Sequence, residues 1–297
     1  GVAAWLIGKI KRVPFVYDVQ DIWGSFTVLS GMVREGGAAI KLIRWLERFV
    51  AKRASHTIVQ TAAGAEYFTE RGVPAEKISI LPHWIDEAVF GRAKDDDRQA
   101  VRAEFGWGSR FIILFAGNIG IVQGLESVLE AARLLPNDNA KIVFMGDGTD
   151  RPRLEAIATS SMIGDRIEFI DRQPMERMPA MMASADAMLV SLKRSELAKF
   201  VVPSKTVAYL ASGKPILMAA GGASEDLIRE AKAGIVVEPE NAADLAEAIE
   251  RMQRMPADEL NMLGENGRQF LLENLSKDEV MQKYIDLLRT VAEEWKK

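Results

Sequence analysis

Cysteine is absent from this chain of 297 residues, and histidine occurs only twice, at His56 and His83. The first absence excludes a disulfide framework and fits a reducing compartment. The second excludes a histidine-rich metal site. No apolar run approaches the roughly 18–20 residues that a membrane-spanning helix needs. The opening stretch GVAAWLIGKI turns basic after a short apolar run and has no small-residue cleavage site behind it, so it does not read as a signal peptide. Stacking aromatics are not interleaved with the basic residues and the net charge is −4, which argues against nucleic acid as a partner. Solenoid repeats and low-complexity tracts are also missing.

What is present is the material of two ordinary soluble domains: 48% apolar and 27% charged residues. The charge is unevenly spread. Residues 1–60 hold nine Lys/Arg against four Asp/Glu, a net of +5, which leaves −9 for the rest of the chain. A basic segment of this kind suits an anionic partner such as a membrane surface, or else forms a solvated basic helix face. The chain opens on Gly1 and its first strand-like segment comes early, so further residues are expected upstream.

Pro14–Asp18 reads as a short strand entered after a proline, followed by a loop at Asp21-Ile22-Trp23. Apolar residues at 40, 43, 46 and 50 predict an amphipathic helix over 38–54 with its basic face outward. His56–Gln60 is the next strand, and Thr61 can cap a helix that ends near Gly72 and Pro74. A strand follows over 78–81. Gly91–Arg98 reads as a linker, and its aspartates at 95–97 as solvated carboxylates rather than a metal site. Beyond it, apolar runs at 111–116, 142–145, 167–170, 187–191, 216–219 and 235–237 alternate with helical patterns, the signature of βαβ units on a parallel sheet. Helices dominate the end, over 242–255, 257–273 and 277–295.

Ligands of such sheets bind beyond the carboxyl ends of the strands, and glycines gather at those ends here. Gly117-Asn118-Ile119-Gly120 and Gln123-Gly124 follow the run at 111–116, and Gly146-Asp147-Gly148 follows the next. Glycine permits tight turns and close backbone approach, and a helix N-terminus presents free N–H groups. The pair suits a diphosphate, although turn glycines also serve structure alone. Lys193-Arg194 follows the fourth run. Pro203-Ser204-Lys205 then opens a helix that Ser204 can cap. A lysine in a first turn opposes the helix dipole, so Lys205 either faces solvent or shares an anionic ligand with the helix end.

The segments Phe115–Gly120, Gln123-Gly124, Gly146–Gly148, Pro203-Ser204-Lys205 and Tyr209–Pro215 resemble the donor lobe of family 4 retaining glycosyltransferases. They are most similar to the bacterial subgroup that builds cell-surface polysaccharide, including N-acetylfucosaminyltransferase-like enzymes. Val16–Trp23 and Leu81–Asp86 resemble the later part of the same family's acceptor lobe. The resemblance implies a GT-B fold, an α/β class with two Rossmann-like doubly wound parallel-sheet lobes, the first incomplete here, and an active site in the cleft between them. It implies boundaries at 1–92 for the acceptor lobe and 93–276 for the donor lobe, with a helix over 277–297 crossing back to the first lobe. The donor would be a nucleotide-diphosphate sugar, transferred with retention and without an obligatory metal or cofactor. Helix-end N–H groups and cations would then have to stabilise the leaving group.

Three departures stand out. Two glutamates that the family commonly carries fall on Phe200 and Ala208, and the second of them ordinarily contacts the ribose. The usual Arg and Lys of the first phosphate loop fall on Asn118 and Gln123, which shifts weight to Lys193, Arg194 and Lys205. The Gly-rich loop of a complete acceptor lobe is not visible.

The expected donor-site residues are therefore Gly117, Asn118, Gly120, Gln123, Gly124, Gly146, Gly148, Arg172, Lys193, Arg194, Ser204 and Lys205, with no metal ligand. Asp21 is the candidate catalytic residue on the acceptor side, where it would bind an acceptor hydroxyl or orient a sugar; its plainer reading is a turn residue. His83 either lines the cleft or packs in a turn, and Met175, Met178, Met181 and Met182 read as a core helix. The expected activity is sugar transfer to a lipid-linked saccharide acceptor on the cytoplasmic face, with peripheral contact at an anionic inner membrane leaflet. A catalytically impaired nucleotide-sugar-binding protein and a sugar-nucleotide 2-epimerase are the competing readings.

Overall fold

The computed structural model describes residues 1–29, 31–91, 95–161 and 163–296. In chain order, Val2–Lys11 (α1), Val16–Asp18 (β1), Trp23–Leu29 (α2), Ala38–Arg53 (α3), His56–Val59 (β2), Ala62–Glu70 (α4) and Ile78–Ile80 (β3) come first. Glu87–Phe90 (α5) and Asp95–Glu104 (α6) lead into Phe111–Ala116 (β4), Glu126–Leu134 (α7), Ala140–Met145 (β5), Arg151–Ser160 (α8) and Ile167–Ile170 (β6). Met178–Ser184 (α9), Ala187–Ser191 (β7), Ser204–Ser212 (α10), Ile216–Ala219 (β8), Ala223–Ala231 (α11) and Gly234–Val236 (β9) follow. Ala242–Arg254 (α12), Ala257–Asn274 (α13) and Lys277–Glu294 (α14) close the chain.

These elements form two units. The first comprises Gly1–Trp84, Ser195–Val202 and Lys277–Lys297; the second comprises Ile85–Arg194 and Pro203–Ser276. The short segment at 195–202, which the sequence pattern leaves inside the donor lobe, joins the first unit because its apolar side chains pack there. Leu197 is buried in a cluster with Val19, Ile22, Val59 and Phe68, and Phe200 meets Tyr67 edge-on at 5.4 Å.

In the first unit three parallel strands lie in the order β1-β2-β3, with Val16 opposite His56 and Thr57 opposite Ile78. Helix α3 turns Ile40, Val50 and Ala51 inward, as its spacing predicts, and leaves Lys41, Arg44 and Arg48 exposed. Thr61 caps α4 by accepting the Gly64 N–H at 3.1 Å, and Gly72, at φ +79°, ends the turn beyond that helix. The opening segment is helical, and one expectation changes: the loop after β1 stops at Ile22, because Trp23 starts α2. The buried Glu47 carboxylate of α3 accepts the Gly24 N–H at 3.0 Å, which satisfies a first-turn donor of α2 with negative charge. That partner is 23 residues away, out of reach of any local pattern.

The second unit is a six-stranded, all-parallel sheet in the order β6-β5-β4-β7-β8-β9. Its strands are continuous apolar runs because helices cover both faces. Ile112, Ile113, Leu114 and Phe115 of β4 are wholly buried, and Ile113 and Phe115 share one core with Val128, Leu154 and Ile249 of α7, α8 and α12. The expected linker at 91–98 becomes partly helix. Residues 92–94 lie outside the described residues, and α6 already begins at Asp95.

Candidate functional site

The strand order reverses direction between β4 and β7, and in a doubly wound sheet the crevice for a ligand opens at that switch point. The two strands pair only at Ile113–Ala187 and Leu114–Met188 and then diverge. Tyr209 of α10 fills the split. Its hydroxyl accepts the Ala116 N–H at 2.8 Å and donates to the Ala116 carbonyl at 3.0 Å, which ties α10 to the end of β4. Burial raises its pKa, so the phenol stays neutral. Sequence reasoning did not single out Tyr209; a tyrosine among the small residues of α10 was the available signal.

Beyond β4 the chain continues alongside β5 for a few residues. Gly117 N–H donates to the Met145 carbonyl at 2.9 Å, and Ile119 N–H to the Asp147 carbonyl at 2.8 Å. The alternate N–H groups, of Asn118 and Gly120, face the other way and find no acceptor among the described residues. Gly117 sits at φ +143°, and Gly124, at φ +62°, ends a short 3-10 turn over Ile121–Gln123. That turn displaces the expected helix opening: α7 starts at Glu126, after Gly124.

Gly146 and Gly148 serve the packing of this loop. A Cβ on Gly146 would lie 1.9 Å from the Gly117 carbonyl oxygen, and one on Gly148 would lie 2.2 Å from that of Ile119. Their N–H groups are already used, by the Ile170 carbonyl at 2.9 Å and by Asp147 Oδ1 at 2.7 Å. The side of this loop turned away from β5 is therefore the 117–120 backbone, which these two glycines support from behind.

Pro203 is the N-cap of α10 and no side chain caps the helix. Ser204 is therefore its first, exposed residue, which corrects its reading as the cap. Lys205 reaches back over the loop. Its Nζ donates to Gln123 Oε1 at 2.8 Å, lies 3.8 Å from the centroid of the Phe115 ring, and approaches within 3.5 Å of the Cβ position of Gly117. No carboxylate pairs with it among the described residues. Desolvation pushes its pKa down to about 7, well below the ordinary lysine value.

Lys193 N–H donates to the Val122 carbonyl at 2.9 Å, and the Lys193 Cγ lies 3.2 Å from the Cβ position of Gly124. Thus Gly117, Asn118, Gly120, Gln123, Gly124, Lys193 and Lys205 gather beyond the carboxyl end of the central strand β4. Arg194 points elsewhere: its guanidinium pairs with Glu238 at 3.0 Å on the exposed surface, and its N–H donates to Glu240. Arg172 lines a cavity of about 490 Å³ with Gly117, Asn118, Gly146, Asp147 and Gln173, floored by Met145 and Met178. Met181 and Met182 are wholly buried, as expected of a core helix. Ala208 lies buried on α10 and supplies no carboxylate.

In the first unit, Asp21 is exposed just past the end of β1. His83 is half-buried, 2.9 Å from the Gln60 amide nitrogen, and burial lowers its pKa. No group of three or more acidic or histidine side chains among the described residues has the arrangement to hold a metal ion.

Two parallel-sheet α/β units, one with its crevice at a topological switch point, define the GT-B class. Residues 97–270 match the family of glycosyl transferases group 1, and residues 1–84 match the glycosyl transferase 4-like domain. The chain belongs to the group 1 glycosyl transferases. It is 28% identical over 290 residues to WcaI of Escherichia coli K12, named for colanic acid biosynthesis, covering 96% of this chain and 70% of that protein. It is 26% identical over 285 residues to the glycosyltransferase WbjE of Pseudomonas aeruginosa, covering 95% and 70% respectively. The crystal structure of Anabaena HepE in complex with UDP superposes with a TM-score of 0.82 at 18% identity, over 97% of this chain and 76% of that one.

Proposed function

We propose that this glycosyltransferase takes a nucleotide-diphosphate sugar as donor and transfers the sugar, with retention, to a saccharide acceptor carried on a lipid. The observation that carries the donor assignment is Lys205. Among the described residues, a desolvated ammonium with no carboxylate partner stands beside the unpaired N–H groups of Asn118 and Gly120 and the first turn of α10, an arrangement that suits an anion. Bound diphosphate would restore the proton to Lys205, and the same contacts would strengthen as charge moves onto the leaving phosphate. The cavity beside Arg172 has the size for the nucleoside. The UDP held by the Anabaena HepE crystal structure supports a nucleotide of this kind, and the name of WcaI supports a polysaccharide product. Asp21 is proposed on the acceptor side.

Calorimetric titration with UDP tests the donor reading, and the absence of binding would sink it. A second reading, nucleotide-sugar binding without efficient transfer, is favoured by Ala208, which puts no carboxylate where the family ordinarily holds the ribose. UDP binding without turnover on saccharide acceptors would select it.

A further inference from the structure

The loop that enters α12 carries a residue that its own turn disfavours. Among the described residues three non-glycines have positive φ: Arg12, Lys232 and Glu240. Arg12 and Lys232 end α1 and α11, where a left-handed residue is ordinary. Glu240 instead stands just before Asn241, the N-cap of α12, at φ +61°. The Asn241 N–H donates to the Glu238 carbonyl at 3.4 Å, which closes a turn over Glu238-Pro239-Glu240-Asn241. A turn with proline second and positive φ third has the form of type II, whose third position favours glycine. Glutamate is strained there, and backbone strain of this kind gathers where a ligand is clamped.

Glu240 Oε2 accepts the Arg194 N–H at 3.0 Å, and that bond completes a set. Leu192 N–H donates to the Ala219 carbonyl at 3.1 Å, and Lys193 N–H to the Val122 carbonyl at 2.9 Å. Successive N–H groups after β7 are thus held by three separate segments, the last of them by a side chain. Glu238 takes the Arg194 guanidinium at 3.0 Å. The stem of Lys193 is left against the Gly124 turn, half-buried, and no carboxylate pairs with its ammonium among the described residues. We infer that Glu240 is a positioning residue for the donor diphosphate: it fixes the Lys193–Arg194 peptide so that Lys193, and not Arg194, is kept beside the loop after β4. The charge of Glu240 would repel a diphosphate, so its acceptor oxygen is the part that helps. The inference rests on the proposed donor reading.

Calorimetric titration with UDP, paired with chemical denaturation of the free chain, tests it. Glu240→Gly removes the acceptor and relieves the backbone. UDP affinity should then fall about three- to tenfold while the denaturation midpoint rises. A residue that serves only the fold would move both in the same direction. Glu240→Gln, which keeps an acceptor oxygen, should restore most of the affinity. In a Lys193→Met background, Glu240→Gly should change UDP affinity by less than about twofold, because the side chain it positions is gone. Unchanged UDP affinity in Glu240→Gly overturns the assignment, as does a midpoint that falls together with the affinity. Equal losses in Glu240→Gly and Glu240→Gln, or an undiminished loss in the Lys193→Met background, would overturn it as well. All of these are read on a wild-type chain that binds UDP. A wild type that does not bind it strikes the donor proposal itself, and this inference falls with it.

Discussion

Lys205 is the residue on which the donor reading turns, and its chemistry fixes a pH dependence. With its pKa lowered to about 7, the free protein holds fewer protons than the unfolded chain between there and the ordinary value of 10.5. Its contribution to stability therefore rises with pH across that window and is lowest below it. Diphosphate binding has the opposite sign, since the anion favours the charged ammonium. UDP affinity should be greatest below pH 7 and fall by up to about tenfold per pH unit above it, with proton uptake visible as a buffer-dependent calorimetric enthalpy. Lys205→Met should weaken UDP by about tenfold or more and flatten that profile. An unchanged profile in the variant would remove Lys205 from the site. Ala208→Glu tests the ribose argument: nucleotide binding should tighten, and unchanged affinity would show that the missing carboxylate does not matter here.

At the scale of elements, the strands of the second unit were legible because they are short, largely apolar runs, the central ones buried on both faces. The amphipathic α3 was legible from its spacing, and Thr61 as a cap from its place before α4. What escaped depends on distant partners. Helix α2 is closed by Glu47, 23 positions along the chain, and the segment at 195–202 is claimed by Tyr67 and its neighbours. The turn after β4 was legible from its glycines, but the division of labour within it was not readable. Only pairing with β5 reveals that alternate N–H groups are spent and that Gly146 and Gly148 act by their small size. Tyr209 carries the same lesson, because its role exists only where β4 and β7 part. Tyr209→Phe keeps the ring and strands the buried Ala116 N–H and carbonyl, which should cost about 1–3 kcal/mol in chemical denaturation. It should also weaken UDP by loosening α10 from β4. A loss well below that range would mean that the Ala116 groups find other partners.

For the whole molecule, charge is the property that no single site explains. The net of +5 over residues 1–60 is carried largely by α1 and α3, which pack together through Trp5 and Phe49 at 5.1 Å. Their outer surface is both basic and apolar: Leu6, Ile7, Ile10, Leu42 and Trp45 are exposed beside Lys9, Lys11, Arg12 and Lys41. No described helix is long and apolar enough to cross a membrane. We propose this basic and apolar face for contact with an anionic leaflet that carries the acceptor lipid. Each lysine or arginine near such a surface contributes about 1 kcal/mol, an attraction that salt screens within a Debye length. Sedimentation with vesicles should show binding to phosphatidylglycerol-containing bilayers at low salt, release at high salt, and little binding to phosphatidylcholine alone. Ile10→Glu, at a position already 81% exposed, should weaken vesicle binding without altering the fold. Binding that ignored both salt and lipid charge would show that the basic face is only a solvated surface.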